Sequence, residues 1–256
     1  MPKEYYIARY RHLRRMLDEV LPDVKITTLG DRRVVSVNTF DPQTKKNKRS
    51  RLSVNDPENL RLINTALQRE SLEEQLARLA ENWKYDYSGS LKAHCGDYIV
   101  KPAEDNPYDS ELWESLVNNS YDRPADRSIK HNDLIMKSDF EVEVAKLLES
   151  MGIEYKYEGK LILGAQGWVF PDFSLHFPEY NRCAFLEVLG GLDNFAYSKS
   201  NAEKINKYIN AGLYPNRDVT FIPGDYYYRP DTDSMRRIIS TIAESFVQQY
   251  VYSGRI

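Results

Sequence analysis

Residues 167–190 read GWVFPDFSLHFPEYNRCAFLEVLG, and two acidic side chains sit inside the apolar runs of this stretch. Trp168–His176 and Ala184–Leu189 have the composition of β-strands. Asp172 lies between Phe170 and Phe173, and Glu187 between Leu186 and Val188. Such neighbours leave a carboxylate half-buried, where an uncompensated charge is expensive. Two carboxylates on adjacent strands also repel each other unless a cation stands between them. A divalent metal ion resolves both problems, and hard oxygen ligands without His or Cys favour Mg²⁺ or Mn²⁺. The plainer alternatives are a Pro171-Asp172 turn and a strand-end salt bridge for Glu187. The flanking aromatics argue against an exposed turn.

Upstream, Phe140, Val144, Leu147, Leu148 and Met151 form one helix face, and Gly152 stands where a helix stops. Glu141 lies in this helix. Ser138-x-x-Glu141 is also a capping box, and Glu143 flanks the apolar face as closely as Glu141, so periodicity does not choose between them. Glu154–Tyr157 and Lys160–Leu163 are strand-like. Downstream, a helix is expected from about Asn194 to Ala211 with its stop at Gly212, then a short strand Val219–Ile222. A last helix covers about Ser234–Tyr250, with Ile238, Ile242, Ala243 and Phe246 inward. The expected order is α-β-β-β-α-β-α.

Residues from about 136 to 225 resemble the PD-(D/E)xK nuclease superfamily, which has the restriction-endonuclease-like fold. The resemblance rests on KSDFEVEVAKLLESMGIEYKYE, GWVFPDFSLHFPE and FLEVLGGLDNFAYSKSNAEKINKYINAGLYP, in that order. It is greatest toward bacterial and phage-associated members in which the second acidic residue opens an E-x-x-G turn. The resemblance implies that Asp172 and Glu187, with the Val188 carbonyl, hold Mg²⁺ or Mn²⁺. It implies that Glu141 adds a ligand directly or through water. The signature lysine, two residues after the second acid, is replaced by Leu189. Some branches supply it from the following helix, where Tyr197, Asn201, Lys204 and Tyr208 form one stripe. Lys204 is therefore the catalytic lysine this reading expects, with Lys199 as the second candidate.

The rest of the chain is basic at its start. Residues 1–51 hold thirteen Lys and Arg against six Asp and Glu, a net of +7; the whole chain is at −3, so residues 52–256 carry −10. A basic front on an acidic chain suggests an anionic partner. A helix is expected over residues 4–21, then strands Lys25–Leu29 and Arg32–Phe40 about a Gly30-Asp31 turn, and a third strand at Arg51–Val54. Asp56-Pro57-Glu58 opens a further helix on Leu60, Ile63, Leu67, Leu72, Leu76, Leu79 and Trp83, with a break near Ser71. Arg11, Arg14, Arg15, Lys45, Lys46, Lys48 and Arg49 are the candidate phosphate contacts, against the alternative of a solvated helix face and hairpin tip.

The expected organisation is a basic α+β region over 1–84, a connector over 85–135 with a short helix near Ser110–Val117, and a nuclease-like domain over 136–256. No apolar run is long enough for a membrane helix, and no secretory h-region opens the chain. Cys95 and Cys183 make no disulfide framework, so a reduced, cytoplasmic setting is expected. His12, His94, His131 and His176 lack metal spacing, and the tyrosines at 226–228 are candidates for base stacking or plain packing. The function these readings support is metal-dependent hydrolysis of nucleic acid, DNA rather than RNA. The rivals are a non-catalytic nucleic-acid-binding module on the same fold and a protein–protein adaptor. A homodimer is compatible with these readings.

Overall fold

The computed structural model describes residues 1–20, 24–41, 43–53, 57–94, 108–121, 129–191, 193–224 and 228–253. They form a mixed α/β structure with several separate sheets. The chain divides into two compact units, residues 9–96 and residues 1–8 with 97–256. Among the described residues no helix is long and apolar enough to cross a membrane.

Helix α1 (Lys3–Glu19) covers the stretch expected from its stripe, and Leu13, Leu17 and Val20 are buried. Arg9 is buried as well, donating to Gln75 Oε1 at 3.0 Å. Strands β1 (Val24–Leu29), β2 (Arg32–Asp41) and β3 (Lys46–Ser53) form an antiparallel sheet in that order. The β1–β2 turn puts Gly30 at φ +59°, a conformation that costs an L side chain strain. Helix α2 (Leu60–Asp86) is continuous, without the break expected near Ser71. It meets the sheet through Ile63 and Ala66, which close on Val24 and Val35. Leu60 and Leu67, expected in the stripe, are exposed. The buried position next to Leu67 is Ala66, whose small side chain allows the helix to approach the sheet closely. The helical turn α3 (Leu91–His94) follows; Asp56 and Cys95 lie outside the described residues.

In the other unit, the stretch read as a connector carries structure of its own. Helix α4 (Ser110–Ser115) is capped by Asp109, whose Oδ1 accepts from the amides of Glu111 and Leu112. Its last carbonyls are held by Lys156, whose Nζ donates to Trp113 O at 2.5 Å and Leu116 O at 2.7 Å. A small hairpin, β4 (Ile129–His131) and β5 (Leu134–Met136), leads into helix α5 (Asp139–Met151). Ser138 caps α5 as its sequence requires, and Gly152 closes it at φ +71°.

Strand β6 (Glu154–Tyr157) follows, then a two-residue pair, β7 (Leu161–Ile162) and β8 (Trp168–Val169). Next come β9 (Phe173–Phe177), β10 (Arg182–Leu189), helix α6 (Phe195–Asn210), β11 (Val219–Pro223) and helix α7 (Thr232–Ser253). The main sheet runs β11-β10-β9-β6; β6, β9 and β10 are antiparallel and β11 is parallel to β10. The single strand expected over Trp168–His176 is in fact two. Pro171 has no amide to donate to a ladder, so β8 ends before it and β9 begins after Asp172. Every residue of β9 is buried, and burying an aromatic such as Phe173 or Phe177 stabilises by roughly 1.5–3 kcal/mol. On α7 the inward residue is Ile239 rather than Ile238, alongside Met235, Ile242, Ala243 and Phe246.

Candidate active site

The pairing of β9 with β10 places the two acids. Leu186 stands opposite Phe173, and continuing that antiparallel register by one residue sets Glu187 opposite Asp172. Directly opposed residues share a face, so both carboxylates point to the same side of the sheet. Both are buried, Glu187 to 1% exposure and Asp172 to 7%.

The cation comes from α6. Lys204 Nζ donates to Glu187 Oε2 at 2.5 Å and lies 3.8 Å from Asp172 Oδ1. One turn later the Tyr208 hydroxyl donates to Glu187 Oε1. The stripe Tyr197, Asn201, Lys204, Tyr208 thus turns inward only at its C-terminal end, for Tyr197 is exposed and Tyr208 fully buried. Lys199, the second candidate, is exposed, and its side chain makes no hydrogen bond or ion pair among the described residues. Asp172 Oδ2 accepts from the Val188 amide at 2.8 Å, which ties the acid to β10, and the Val188 carbonyl accepts from the Gly190 amide at 3.0 Å.

Glu141 is the buried acid of α5, whereas Glu143 is exposed and pairs with Arg229. Glu141 Oε2 accepts from the amides of Lys137 (2.7 Å) and Ser138 (2.9 Å) and from the Tyr157 hydroxyl (2.9 Å), and the Glu141 amide donates to Ser138 Oγ at 3.2 Å. The capping box is therefore real and does not compete with a place near the sheet. Glu141 Oε1 and Asp172 Oδ1 accept no hydrogen bond among the described residues. The signal for Tyr208 was legible, since it stands four residues from Lys204 on the same helix face. Tyr157 reaches Glu141 only through tertiary packing and had no signal in the sequence.

These groups feel one another. Burial pushes the Glu187 carboxyl up to about 8; the Asp172 charge adds to this, and Lys204 with Tyr208 pulls against it. Burial and the Asp172 charge likewise raise Glu141. Burial alone would lower Lys204, but the charges of Glu187, Asp172 and Glu141 outweigh it and hold Lys204 above the usual lysine range. Burial and the Glu187 charge raise the Tyr208 hydroxyl.

Once all three buried acids are ionised they outnumber the single, partly buried ammonium of Lys204, and the excess negative charge then suits a hard divalent cation. Among the described residues no three Asp, Glu, His or Cys side chains are grouped to hold a metal ion. A cation here would rest on Asp172, Glu187 and the Val188 carbonyl, with water completing its shell, and the donor chemistry of that set fits Mg²⁺ or Mn²⁺.

The basic residues sort onto different surfaces. Arg14 and Arg15 are exposed; Arg14 lies 3.4 Å from Asp18, and Arg15 lies 3.5 Å from His12 Nδ1, while Arg11 is half-buried. Lys45 occupies the β2–β3 turn at φ +53°. Alternation along β3 then separates Lys46 and Lys48, on the face that packs on α2, from Arg49, which donates to Ser36 Oγ at 3.2 Å on the other face. That other face also presents Lys25, Arg32 and Arg51, all exposed, and carries no acidic residue of the three strands.

The histidines His131 and His176 serve packing: each bonds a glutamate, Glu149 and Glu154 respectively. Cys183 is buried, with its thiol pushed up to about 12 by burial. Tyr226 and Tyr227 lie outside the described residues, and Tyr228 is exposed. No protein-family model, no curated protein and no solved structure matches this chain.

Proposed function

We propose that this protein is a metal-dependent nuclease with a restriction-endonuclease-like core that hydrolyses phosphodiester bonds, in DNA rather than RNA. The observation that carries the reading is the meeting of Asp172, which immediately precedes β9, with Glu187 of β10 and Lys204 of the following helix. The order α5-β6-β9-β10-α6-β11-α7, with β7–β8 as an inserted hairpin, supports it. Mg²⁺ or Mn²⁺ held by Asp172, Glu187 and the Val188 carbonyl would withdraw charge from a phosphodiester oxygen and lower the pKa of water. An ammonium has three donors. Glu187 takes one from Lys204, so two remain to position the attacking water or to neutralise charge developing on the phosphoryl oxygens. Tyr208 holds the far oxygen of Glu187 and fixes its plane. Glu141 Oε1 stands ready to accept from water. The test is nicking of supercoiled plasmid: cleavage is expected in Mg²⁺ or Mn²⁺ and none in EDTA. A second reading is favoured by Lys204 itself, which already neutralises Glu187 and so fits a binding module that cuts nothing. Tight DNA binding without nicking in any metal would select it, and absence of binding would leave the adaptor.

Partner binding has its own prediction. Reversing Lys25, Arg49 and Arg51 should weaken DNA binding and reduce the salt slope by about 0.9 for each phosphate no longer neutralised. Reversing Lys45, Lys46 and Lys48 should do less, because Lys46 and Lys48 share the face that packs on α2. Salt titrations of both triple variants check this; an equal loss of affinity would mean that strand alternation does not organise the binding face.

A further inference from the structure

The β7–β8 hairpin is apolar on both faces. Leu161 and Val169, paired in register, are buried in one cluster with Phe185 and Tyr208. Ile162 and Trp168, the pair on the other face, are 62% and 48% exposed. A solvated face is normally polar, and a contiguous exposed apolar patch marks an interaction surface. Here the patch is a row of rings. Trp168 meets Phe170 edge-on with centroids 5.1 Å apart, and Phe170 meets Tyr121 in the same way at 5.1 Å. Ammonium groups lie over its two ends: Lys160 is 5.2 Å from the Trp168 ring centre and Lys137 is 5.1 Å from that of Tyr121.

The row borders the candidate active site. Phe170 precedes Asp172 by two residues, and the Lys137 amide donates to Glu141 Oε2 at 2.7 Å. The back of the hairpin packs on Tyr208, whose hydroxyl holds Glu187. Rings and carboxylates are thus parts of one packed piece. We propose that Trp168, Phe170 and Tyr121 form a stacking platform for unpaired nucleobases, so that the substrate is nucleic acid that is single-stranded or locally unpaired beside the bond to be cut. The identity of the ligand rests on the nuclease reading. Aromatic faces accept any base, and the Lys160 ammonium can take a phosphate, whereas that of Lys137 is paired with the buried Glu158. An apolar protein segment laid on the same row would have to strip water from Lys160, which has no ion pair among the described residues.

Trp168 reports on its own occupancy, since Trp83 and Trp113 are 1% and 9% exposed. The full chain in EDTA is titrated with oligothymidylate, with an abasic oligomer of equal length and with blunt duplex, following tryptophan fluorescence. Oligothymidylate is expected to quench and to bind about tenfold more tightly than the abasic strand. The variants are compared by the anisotropy of end-labelled strands, because Trp168→Ala and Trp168→Phe remove the intrinsic reporter: Trp168→Ala and Phe170→Ala should each reduce that preference, with melting temperature held as the control for folding, and Trp168→Phe should keep it. Equal affinity for base-bearing and abasic strands, or an unchanged preference in both Ala variants, overturns the proposal. So does concentration-dependent self-association through this face without quenching by any strand. Cleavage does not enter the measurement. A chain that prefers bases but nicks nothing keeps the platform and loses the nuclease reading, whereas one that cuts duplex without base preference does the reverse.

Discussion

Asp172→Asn is expected to lower the proposed Mg²⁺-dependent cleavage by about 10³-fold or more, with the circular dichroism spectrum unchanged. Asn is the cleaner replacement, because it keeps an acceptor for the Val188 amide now bonded to Asp172 Oδ2. Asp172→Ala relieves repulsion with Glu187, which by itself would stabilise the protein. It also leaves the Val188 amide without this acceptor, at a cost of about 1–3 kcal/mol, so the gain in stability that crowded acids alone would suggest is offset. Lys204→Ala should lose about 10²–10³-fold in rate, the usual cost of removing one preorganised charge partner. Lys199→Ala, on the exposed face of the same helix, should cut like the wild type. Plasmid nicking and single-turnover kinetics check all three. An inactive Lys199→Ala beside an active Lys204→Ala would show that the wrong lysine has been assigned. A wild type that cuts under no metal would end the catalytic reading.

The second large effect is on stability against pH in EDTA. Glu187 titrates near 8 in the folded protein and at an ordinary 4.5 when unfolded. Between these values the native state binds more protons than the unfolded chain, so stability falls as pH rises. The contribution is fully present below about pH 4.5 and lost by about pH 8. Its size is on the order of several kcal/mol, because each unit is worth about 1.4 kcal/mol. Burial raises Glu141 as well, which tilts the profile in the same direction. Glu187→Gln should flatten the slope, for the amide has no proton to lose. Added Mg²⁺ should stabilise the wild type more at pH 8 than at pH 6, since the ligand must be ionised to bind it. Urea midpoints at the two pH values decide the matter; a slope that survives in Glu187→Gln would show that another group carries it.

The candidate site was legible where chemistry and chain spacing coincide. Acids inside apolar runs are anomalies in any sequence, and Asp172 and Glu187 stood out for that reason, although Asp172 proves to stand just before β9 rather than within a strand. Lys204 could be reached because helix periodicity puts it on one face with Tyr208. Glu141 was ambiguous, since a capping box and a buried acid are spelled by the same residues, and Glu143 offered an equal periodicity. Packing of α5 separates them: Glu141 is buried against Tyr157, and Glu143 is left to Arg229.

The sequence by itself determined what is local: the ends of α5 through Ser138 and Gly152, the Gly30 turn, the helical stripe of α6, and the apolar run of β10 that carries Glu187. These follow from backbone preference and side-chain periodicity within a few residues. The tertiary structure alone decided what depends on distant partners. It set the register that opposes Asp172 to Glu187 and the break of the expected long strand into β8 and β9. It chose Ala66 over Leu67 as the residue of α2 that faces the sheet. It also divided the basic run of β3, because a period of two sends neighbouring cations to opposite faces, and only the packing of α2 determines which face stays open.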